Sequence, residues 1–239
     1  MSRPNILVLI PAWNEASRIR PVIEAFRDSL PVLVVDDGSS DDTVPTARDV
    51  GANVVVHPQN MGKGVALSTG FTWALERGYD AVLTLDADGQ HDPEEAPKFI
   101  EAYEREEGDL IIGRRDFREM PLYRAFGNGV GTWLLSQALG IKIYDNQCGY
   151  RLYTRKLLET VDMERTGFEF EVEVVVEAVA AGLEIGWVDI RTIYGIGKKS
   201  YFHPFHDSVK FIDMVWVAHK RVQELEKNQT DAERIDKLS

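Results

Sequence analysis

Through its first half the chain alternates short runs of β-forming residues ending in Asp or Gly with longer runs whose apolar residues recur at helical spacing. This alternation leaves few folds open. Strands joined through helices pair in parallel, and a parallel sheet must be covered on both faces. The expected strands are residues 5–10, 32–36, 53–57, 81–86 and 109–113. Between the first two, Ile19, Val22, Ile23, Phe26 and Leu30 keep helical spacing, with Ser17 as N-cap and Pro21 in the first turn. A second helix is expected over 65–77, stopped by Gly78. A third opens on Asp92 as cap, with Pro93 at the first helical position and Glu94 and Glu95 in the first turn. The expected fold class is α/β, a mostly parallel central sheet flanked by helices.

Beyond Gly113 the pattern loosens. A helix is expected over 122–139, closed by Gly140, although Gly127, Gly129 and Gly131 count against it. A turn-rich segment NQCGYRLY (146–153) follows, then helices over 155–161 and 171–181, the latter ended by Gly182. A strand over 184–192, a loop over 195–204, an amphipathic helix over 207–226 and a polar tail from Asn228 complete the chain. No internal repeat is visible, and 239 residues suit one α/β domain better than two.

With 27 Lys and Arg against 39 Asp and Glu, the net charge is −12, which repels polyphosphate backbones and anionic lipid; no nucleic-acid partner is expected. An apolar fraction of 44% excludes disorder as the default. Cys148 is the lone cysteine, so no internal disulfide forms, and it reads as a small buried hydrophobe. The first apolar run breaks at Pro11 before a signal sequence develops, and no uncharged apolar stretch reaches the ~18 residues of a membrane span. A cytoplasmic chain, peripheral at most to the inner face of a membrane, is the expectation.

In an open parallel sheet, ligands bind beyond the carboxyl ends of the strands. Four consecutive strand ends here run into polar residues: Pro11 to Glu15, Asp36 to Ser40, Asn60 to Gly64, and Asp86 to Gln90. Asp86 and Asp88, two apart at a strand end, suit a hard divalent cation, and Gln90 can add an amide oxygen. Taken alone, an Asp-x-Asp is more often an ordinary acidic turn, but repetition at four strand ends reverses that balance. Asp36 and Asp37 offer a carboxylate to a base or a ribose hydroxyl. Gly62 and Gly64 around Lys63 let backbone approach a ligand, yet their spacing is not that of a Walker phosphate loop. The common kinase and ATPase reading is thereby excluded.

The strings IPAWNEA, VVDDGSSDDT, NMGKGVAL, LDADGQHDPE, the pair Arg114 and Arg115 after Gly113, and NQCGYRLY occur in this order. In these strings the chain resembles family 2 glycosyltransferases, and most of all the dolichyl-phosphate mannose synthase-like branch that makes polyprenyl-phosphate sugars. The resemblance covers about residues 6–194. It implies a GT-A fold, one domain over 1–227 with a nucleotide-sugar-binding half (1–113), an acceptor half (114–227) and a polar tail (228–239). It implies donor contacts from Pro11, Trp13, Glu15, Val35, Asp37, Lys63, Asp86 and Ala87, a Mg²⁺ or Mn²⁺ held by Asp86, Asp88 and Gln90, and a phosphate contact from Arg115. Asp88 and Arg115 are then the catalytic pair.

Two departures stand out. Many relatives carry membrane-embedded C-terminal helices that are absent here, and the late basic loop reads GIGKKSYFHP in place of a Gly-x-Ser-Lys pattern. Lys198 and Lys199 in that loop are expected to add charge at the leaving group or at an acceptor phosphate. The implied reaction is inverting transfer of a hexose from a GDP- or UDP-sugar to a dolichyl or undecaprenyl phosphate, metal-assisted. A phosphate acceptor needs no general base, whereas a hydroxyl acceptor does. Asp145, Glu169 and Glu171 are the candidate bases, set against the reading that the Glu-rich helix start near 168–173 is a solvated face. His91 would tune the metal site or bond at the helix entry. The alternatives are transfer to a hydroxyl of a soluble sugar or growing glycan, a sugar nucleotidyltransferase, and a non-catalytic nucleotide-sugar sensor. A chain using a lipid acceptor without a span must dock, through the apolar face of 207–226 or a separate membrane partner.

Overall fold

The computed structural model describes residues 4–120, 122–163, 169–191, 193, 216 and 220. The alternation in the sequence becomes seven strands, β1 (Ile6–Ala12), β2 (Val32–Asp36), β3 (Asn53–Val56), β4 (Ala81–Thr84), β5 (Leu110–Arg115), β6 (Arg151–Thr154) and β7 (Ile185–Ile190). Seven helices accompany them: α1 (Ile19–Glu24), α2 (Thr43–Asp49), α3 (Lys63–Glu76), α4 (Ala96–Glu104), α5 (Leu122–Leu139), α6 (Arg155–Thr160) and α7 (Phe170–Ala180). One sheet holds every strand, in the order β3-β2-β1-β4-β6-β5-β7. All neighbours run parallel except β6, which lies antiparallel between β4 and β5.

The central strands are apolar on both faces because helices cover both. Residues Leu7 to Ile10 of β1 and Leu33 to Val35 of β2 are wholly enclosed. Gly70 lets α3 lie directly on the sheet, since a Cβ there would overlap the Leu9 side chain. Strand order reverses between β1 and β4, so a crevice opens beyond their carboxyl ends.

Several expectations shift. Ser17 does not cap the first helix: α1 starts at Ile19 with no side-chain cap bond and ends at Glu24. Its entry is made instead by the Glu15 carbonyl, which accepts from Arg18 N and Ile19 N. Asp42 gives no cap bond to α2, and Asp41 Oδ1 takes Thr43 N at 3.0 Å. Asp92 does cap its helix, accepting from Glu94 N. α5 forms over its full expected length despite three glycines, because Leu135, Ala138 and Leu139 bury its inner side. Within NQCGYRLY, the last four residues with Thr154 in place of Tyr150 form β6, a strand too short for its period to show in the sequence. The helix expected over 207–226 and the tail lie outside the described residues, apart from Trp216 and Lys220.

Gly38, in the turn after β2, has φ +73°, and a Cβ there would sit 2.7 Å from Asn60 N and closer still to the Gln59 backbone. Gly38→Ala is therefore expected to destabilise the protein by about 1 to 3 kcal/mol, the cost of forcing a side chain into left-handed backbone. Urea denaturation followed by far-UV circular dichroism measures it.

Candidate active site

The loops after β1 and β2 are laced together by side chains taken from both. Asn14, itself at φ +56°, donates its backbone N–H to Ser39 Oγ at 2.8 Å, and its Oδ1 accepts from Ser40 N at 2.8 Å. Glu15 N donates to Thr43 Oγ1 at 2.8 Å, and the Glu15 carboxylate pairs with Arg18 at 2.5 Å. Burial raises the Glu15 pKa above the usual carboxylate range against the pull of Arg18. These bonds fix an acidic rim from which the Trp13 indole projects half-exposed.

Val35 and Ala87 do not offer side chains to a ligand. Val35 is 0% exposed because β2 is covered by helices on both faces, and Ala87, in the turn after β4, is buried as well. Asp37 is likewise buried, and its carboxylate already has three protein partners. Met61 N at 2.9 Å and His57 Nδ1 at 2.8 Å meet Oδ1, and Gly62 N at 2.8 Å meets Oδ2. His57 Nε2 in turn meets Thr69 Oγ1 at 3.0 Å. These bonds brace the loop that leads into Lys63 and fix the carboxylate expected to meet the base or ribose.

Lys63, at the start of α3, stands between two carboxylates rather than facing solvent. Its Nζ is 2.6 Å from Asp86 Oδ1 and 2.7 Å from Glu171 Oε1. Asp86 Oδ2 is 3.3 Å from His91 Nε2. Burial would raise the Asp86 pKa, but Lys63 and His91 override it and hold the carboxyl well below the usual range. Burial opposes the Lys63 charge too, and Asp86 with Glu171 holds its pKa well above the ordinary value. Gly149 makes room for this cluster, since a Cβ there would lie 2.8 Å from Asp86 Oδ2. Glu171 is 5% exposed and Glu173 is buried, so the solvated face expected at the start of α7 is instead an interior one. No segment-wide average of charge reveals that, because the partner lies in the first half of the chain.

Asp88 faces the opposite electrostatics. Its Oδ1 accepts from Gln90 N at 2.9 Å and its Oδ2 from Gln90 Nε2 at 2.8 Å, and burial followed by the Asp86 charge raises its pKa. Gln90 thus presents its amide N–H to Asp88. Its backbone carbonyl receives Ile193 N at 3.0 Å. The two neighbouring carboxylates are pushed apart in pKa: Lys63 and His91 pair with Asp86 directly, while on Asp88 burial and the Asp86 charge outweigh them.

Arg115, at the end of β5, makes a two-point ion pair with Asp145, Nε to Oδ2 at 2.6 Å and Nη2 to Oδ1 at 2.9 Å. Asp145 is fully enclosed and also takes Gln147 N at 3.1 Å. The reading of Cys148 holds: it is buried, and burial pushes its thiol up to about 12. Lys198 and Lys199 lie outside the described residues.

Arg151 escaped the sequence reading. Its guanidinium, wholly buried, donates to the carbonyls of Cys148 (2.7 Å), Glu171 (2.6 Å) and Asn146 (3.0 Å). It ties the 146–148 loop to the start of α7 and so sets Glu171 against Lys63. The only signal available was a charged residue inside an apolar Tyr-Arg-Leu-Tyr run.

The acidic loops after β1 and β2, the Asp-x-Asp after β4 and the two-point Arg115–Asp145 pair at the end of β5 therefore lie at the same end of one sheet. A model of the family described as "Glycosyl transferase family 2" matches residues 7–162. The chain belongs to glycosyl transferase family 2. It is 33% identical over 204 residues to an undecaprenyl-phosphate mannosyltransferase of Micrococcus luteus, covering 79% of this chain and 83% of that protein. It is 31% identical over 214 residues to a polyprenol monophosphomannose synthase of Mycolicibacterium smegmatis, covering 81% and 80%. Its fold resembles the crystal structure of glucosyl-3-phosphoglycerate synthase from Mycobacterium tuberculosis in complex with Mg²⁺ and UDP, with a TM-score of 0.71 and 22% identity over 91% of this chain and 80% of that one. The α/β sheet is thus that of GT-A glycosyltransferases, and the protein is a glycosyltransferase.

Removing the Lys63 charge leaves Asp86 and Glu171 facing each other. Lys63→Met is expected to cost about 3 kcal/mol at neutral pH, the low end for losing one partner of a buried ion pair, because Asp86 is partly exposed. The sign of the pH dependence follows from the depressed Asp86 pKa. The stability it contributes is present above the unfolded value of about 3.9 and is lost as pH falls below that toward the folded value. Thermal melts from pH 7 down to about pH 2 should show wild type starting to lose this increment below about pH 3.9, while Lys63→Met lacks it throughout.

Proposed function

We propose that the protein transfers a hexose from a nucleoside-diphosphate sugar, a GDP- or UDP-hexose, to a polyprenyl phosphate, with inversion at the sugar carbon and with Mg²⁺ or Mn²⁺ assisting. One observation carries the choice of acceptor. The two enclosed carboxylates that could serve as a general base, Asp145 and Glu171, are each held by a cation, Arg115 and Lys63. A hydroxyl acceptor needs a base to take its proton, whereas a phosphate monoester is already ionised near pH 7, its second pKa lying near ~6. The names of the Micrococcus and Mycolicibacterium relatives point to the same acceptor class.

The residues fit a hard divalent cation. Asp88 has a raised pKa, set first by burial and then by the Asp86 charge, and its donors are oxygens. Among the described residues no group of three or more His, Cys, Asp or Glu could hold a metal by itself. That suits an ion which takes one or two carboxylates and completes its shell with substrate phosphate oxygens and water. Asp88 would hold it, with Gln90 reaching the same shell once its amide turns. When bound, the ion supplies Lewis-acid stabilisation of the departing diphosphate.

The chain's own groups do the rest. Trp13 gives an aromatic face to the base, and the acidic rim at Glu15 borders the nucleoside. An acceptor phosphate oxygen attacks the anomeric carbon as the bond to the diphosphate oxygen breaks, and the nucleoside diphosphate leaves with that electron pair. No proton moves. Arg115, held in place by Asp145, offers its guanidinium charge to a phosphate. In this reading 1–113 form the donor half and 114–227 the acceptor half, and Lys198 and Lys199 add positive charge on the acceptor side.

Asp88→Asn should leave the fold intact and the metal-free melting temperature no lower than wild type, since it removes a carboxylate whose ionisation burial opposes. Transfer should fall on the order of a hundredfold or more, the scale of losing a group that stabilises transition-state charge. Assays with GDP- and UDP-sugars, with and without polyprenyl phosphate and with a chelator, check this. Full transfer in excess chelator, or transfer to soluble sugars alone, would overturn the reading.

A further inference from the structure

Two residues stand one step beyond the ends of neighbouring strands, held there by the sheet itself. Asp37 N donates to the Ala12 carbonyl at 2.8 Å, and His57 N donates to the Asp36 carbonyl at 2.8 Å. Each bond carries a ladder one residue past its strand, so both side chains leave from firmly placed backbone. Both are buried, and the His57 ring lies between Asp37 Oδ1, 2.8 Å from Nδ1, and Thr69 Oγ1, 3.0 Å from Nε2. A carboxylate oxygen only accepts, so Nδ1 donates to Asp37 and Nε2 is left to accept from the Thr69 hydroxyl. With both nitrogens engaged, the ring has one tautomer and one orientation. It forms a strut from the end of β2 to α3, reaching that helix six residues after Lys63.

We propose that His57 is a positioning residue for the nucleoside site: backed by Thr69, it holds the Asp37 carboxylate in the orientation that receives the base or ribose of the donor. The proposal rests on the nucleoside-diphosphate reading above. A carboxylate offers about four acceptor positions. Met61 N and His57 Nδ1 meet Oδ1, and Gly62 N meets Oδ2, which leaves one position on Oδ2 for a single O–H or N–H of the nucleoside. Of the three partners, His57 is the one tied both to a strand end and to a helix; the other two belong to a loop. A buried carboxylate left one donor short draws in water or shifts to find another donor, and either event displaces the position kept for the ligand.

The surroundings give that orientation a use. The bond from Asp37 N to the Ala12 carbonyl anchors the carboxylate to the residue just before Trp13, whose indole is given to the base above. Aromatic face and carboxylate thus share one backbone anchor. Through Gly62 and Thr69 the same carboxylate and ring also grip the start and the middle of α3, the helix that delivers Lys63 to Asp86.

The test is calorimetric titration of the full chain with UDP and with GDP in the presence of Mg²⁺, alongside steady-state transfer and melting temperature. The variants are His57→Leu, His57→Asn, Thr69→Val, Thr69→Ser and Asp37→Ala. His57→Leu is expected to raise the nucleotide Kd and the donor KM about tenfold, the low end for losing a hydrogen bond to a charged group, with little change in kcat at saturating donor. His57→Asn keeps an N–H near the Nδ1 position and Thr69→Val breaks only the far bond, so each should weaken binding about threefold. Thr69→Ser, which keeps the hydroxyl, should restore wild-type affinity. A role in stability alone would lower the melting temperature and leave the Kd of the folded protein where it was. The proposal is overturned if His57→Leu binds like wild type while Asp37→Ala loses binding, or if the series loses stability with Kd unchanged. If His57→Leu does not fold, Thr69→Val against Thr69→Ser decides, and equal Kd values in those two overturn it. Should Asp37→Ala itself bind like wild type, the nucleoside lies elsewhere, and the donor-site reading falls together with the inference.

Discussion

A single ammonium group joins the parts of this enzyme that the chain delivers from far apart. Lys63 comes from the start of α3, Asp86 from the end of β4, and Glu171 from α7 more than a hundred positions after Lys63; Nζ lies within 2.7 Å of both carboxylates. Each of the three groups would be costly to enclose alone, and each is acceptable because the other two are present. The bracing of the Lys63 loop by Asp37, the room left by Gly149 and the seating of α7 by Arg151 all converge on this one contact. The second half of the chain is thereby registered against the first at the place where chemistry is to occur.

That contact also divides labour between two carboxylates only two residues apart. Asp86 is kept ionised by Lys63 and His91. Burial and the Asp86 charge work against ionisation of Asp88. The opposite directions of their pKa shifts are the physical form of that division, and opposed shifts in neighbouring acids are a common mark of assigned roles.

The parallel sheet and the polar strand ends were legible because both leave local traces. A buried strand shows as an apolar run, and a ligand-facing strand end shows as Asp, Asn and Gly immediately after it. The cap at Asp92 and the stops at Gly78, Gly140 and Gly182 were legible for the same reason: each glycine takes positive φ where its helix ends. Contacts between distant segments leave no such trace. Glu171 reads like any acid at a helix start until Lys63 is placed beside it, and nothing local to Asp37 reveals that Met61, Gly62 and His57 bond its carboxylate. Strand β6 was hidden because four residues are too few to display a period, and its Arg151 looked out of place in an apolar run because its three carbonyl partners come from other segments.

The reversed direction of β6 gives the molecule a polarity of its own. In a wholly parallel sheet only segments that follow strands reach the reactive rim. Because β6 runs the other way, the segment before it, with Asp145 and Gly149, arrives at that rim, while its end departs toward the opposite one. That opposite rim is closed by backbone bonds from Asp80 N to the Asn5 carbonyl, Arg155 N to the Asp80 carbonyl and Thr154 N to the Asp109 carbonyl. Among the described residues it carries none of the groups proposed for donor or acceptor. A tether, label or fused module attached ahead of Asn5 would stand a full strand length, about 23 Å for the seven residues of β1, from the reacting atoms. The enzyme can therefore be held by its back without obstructing its front.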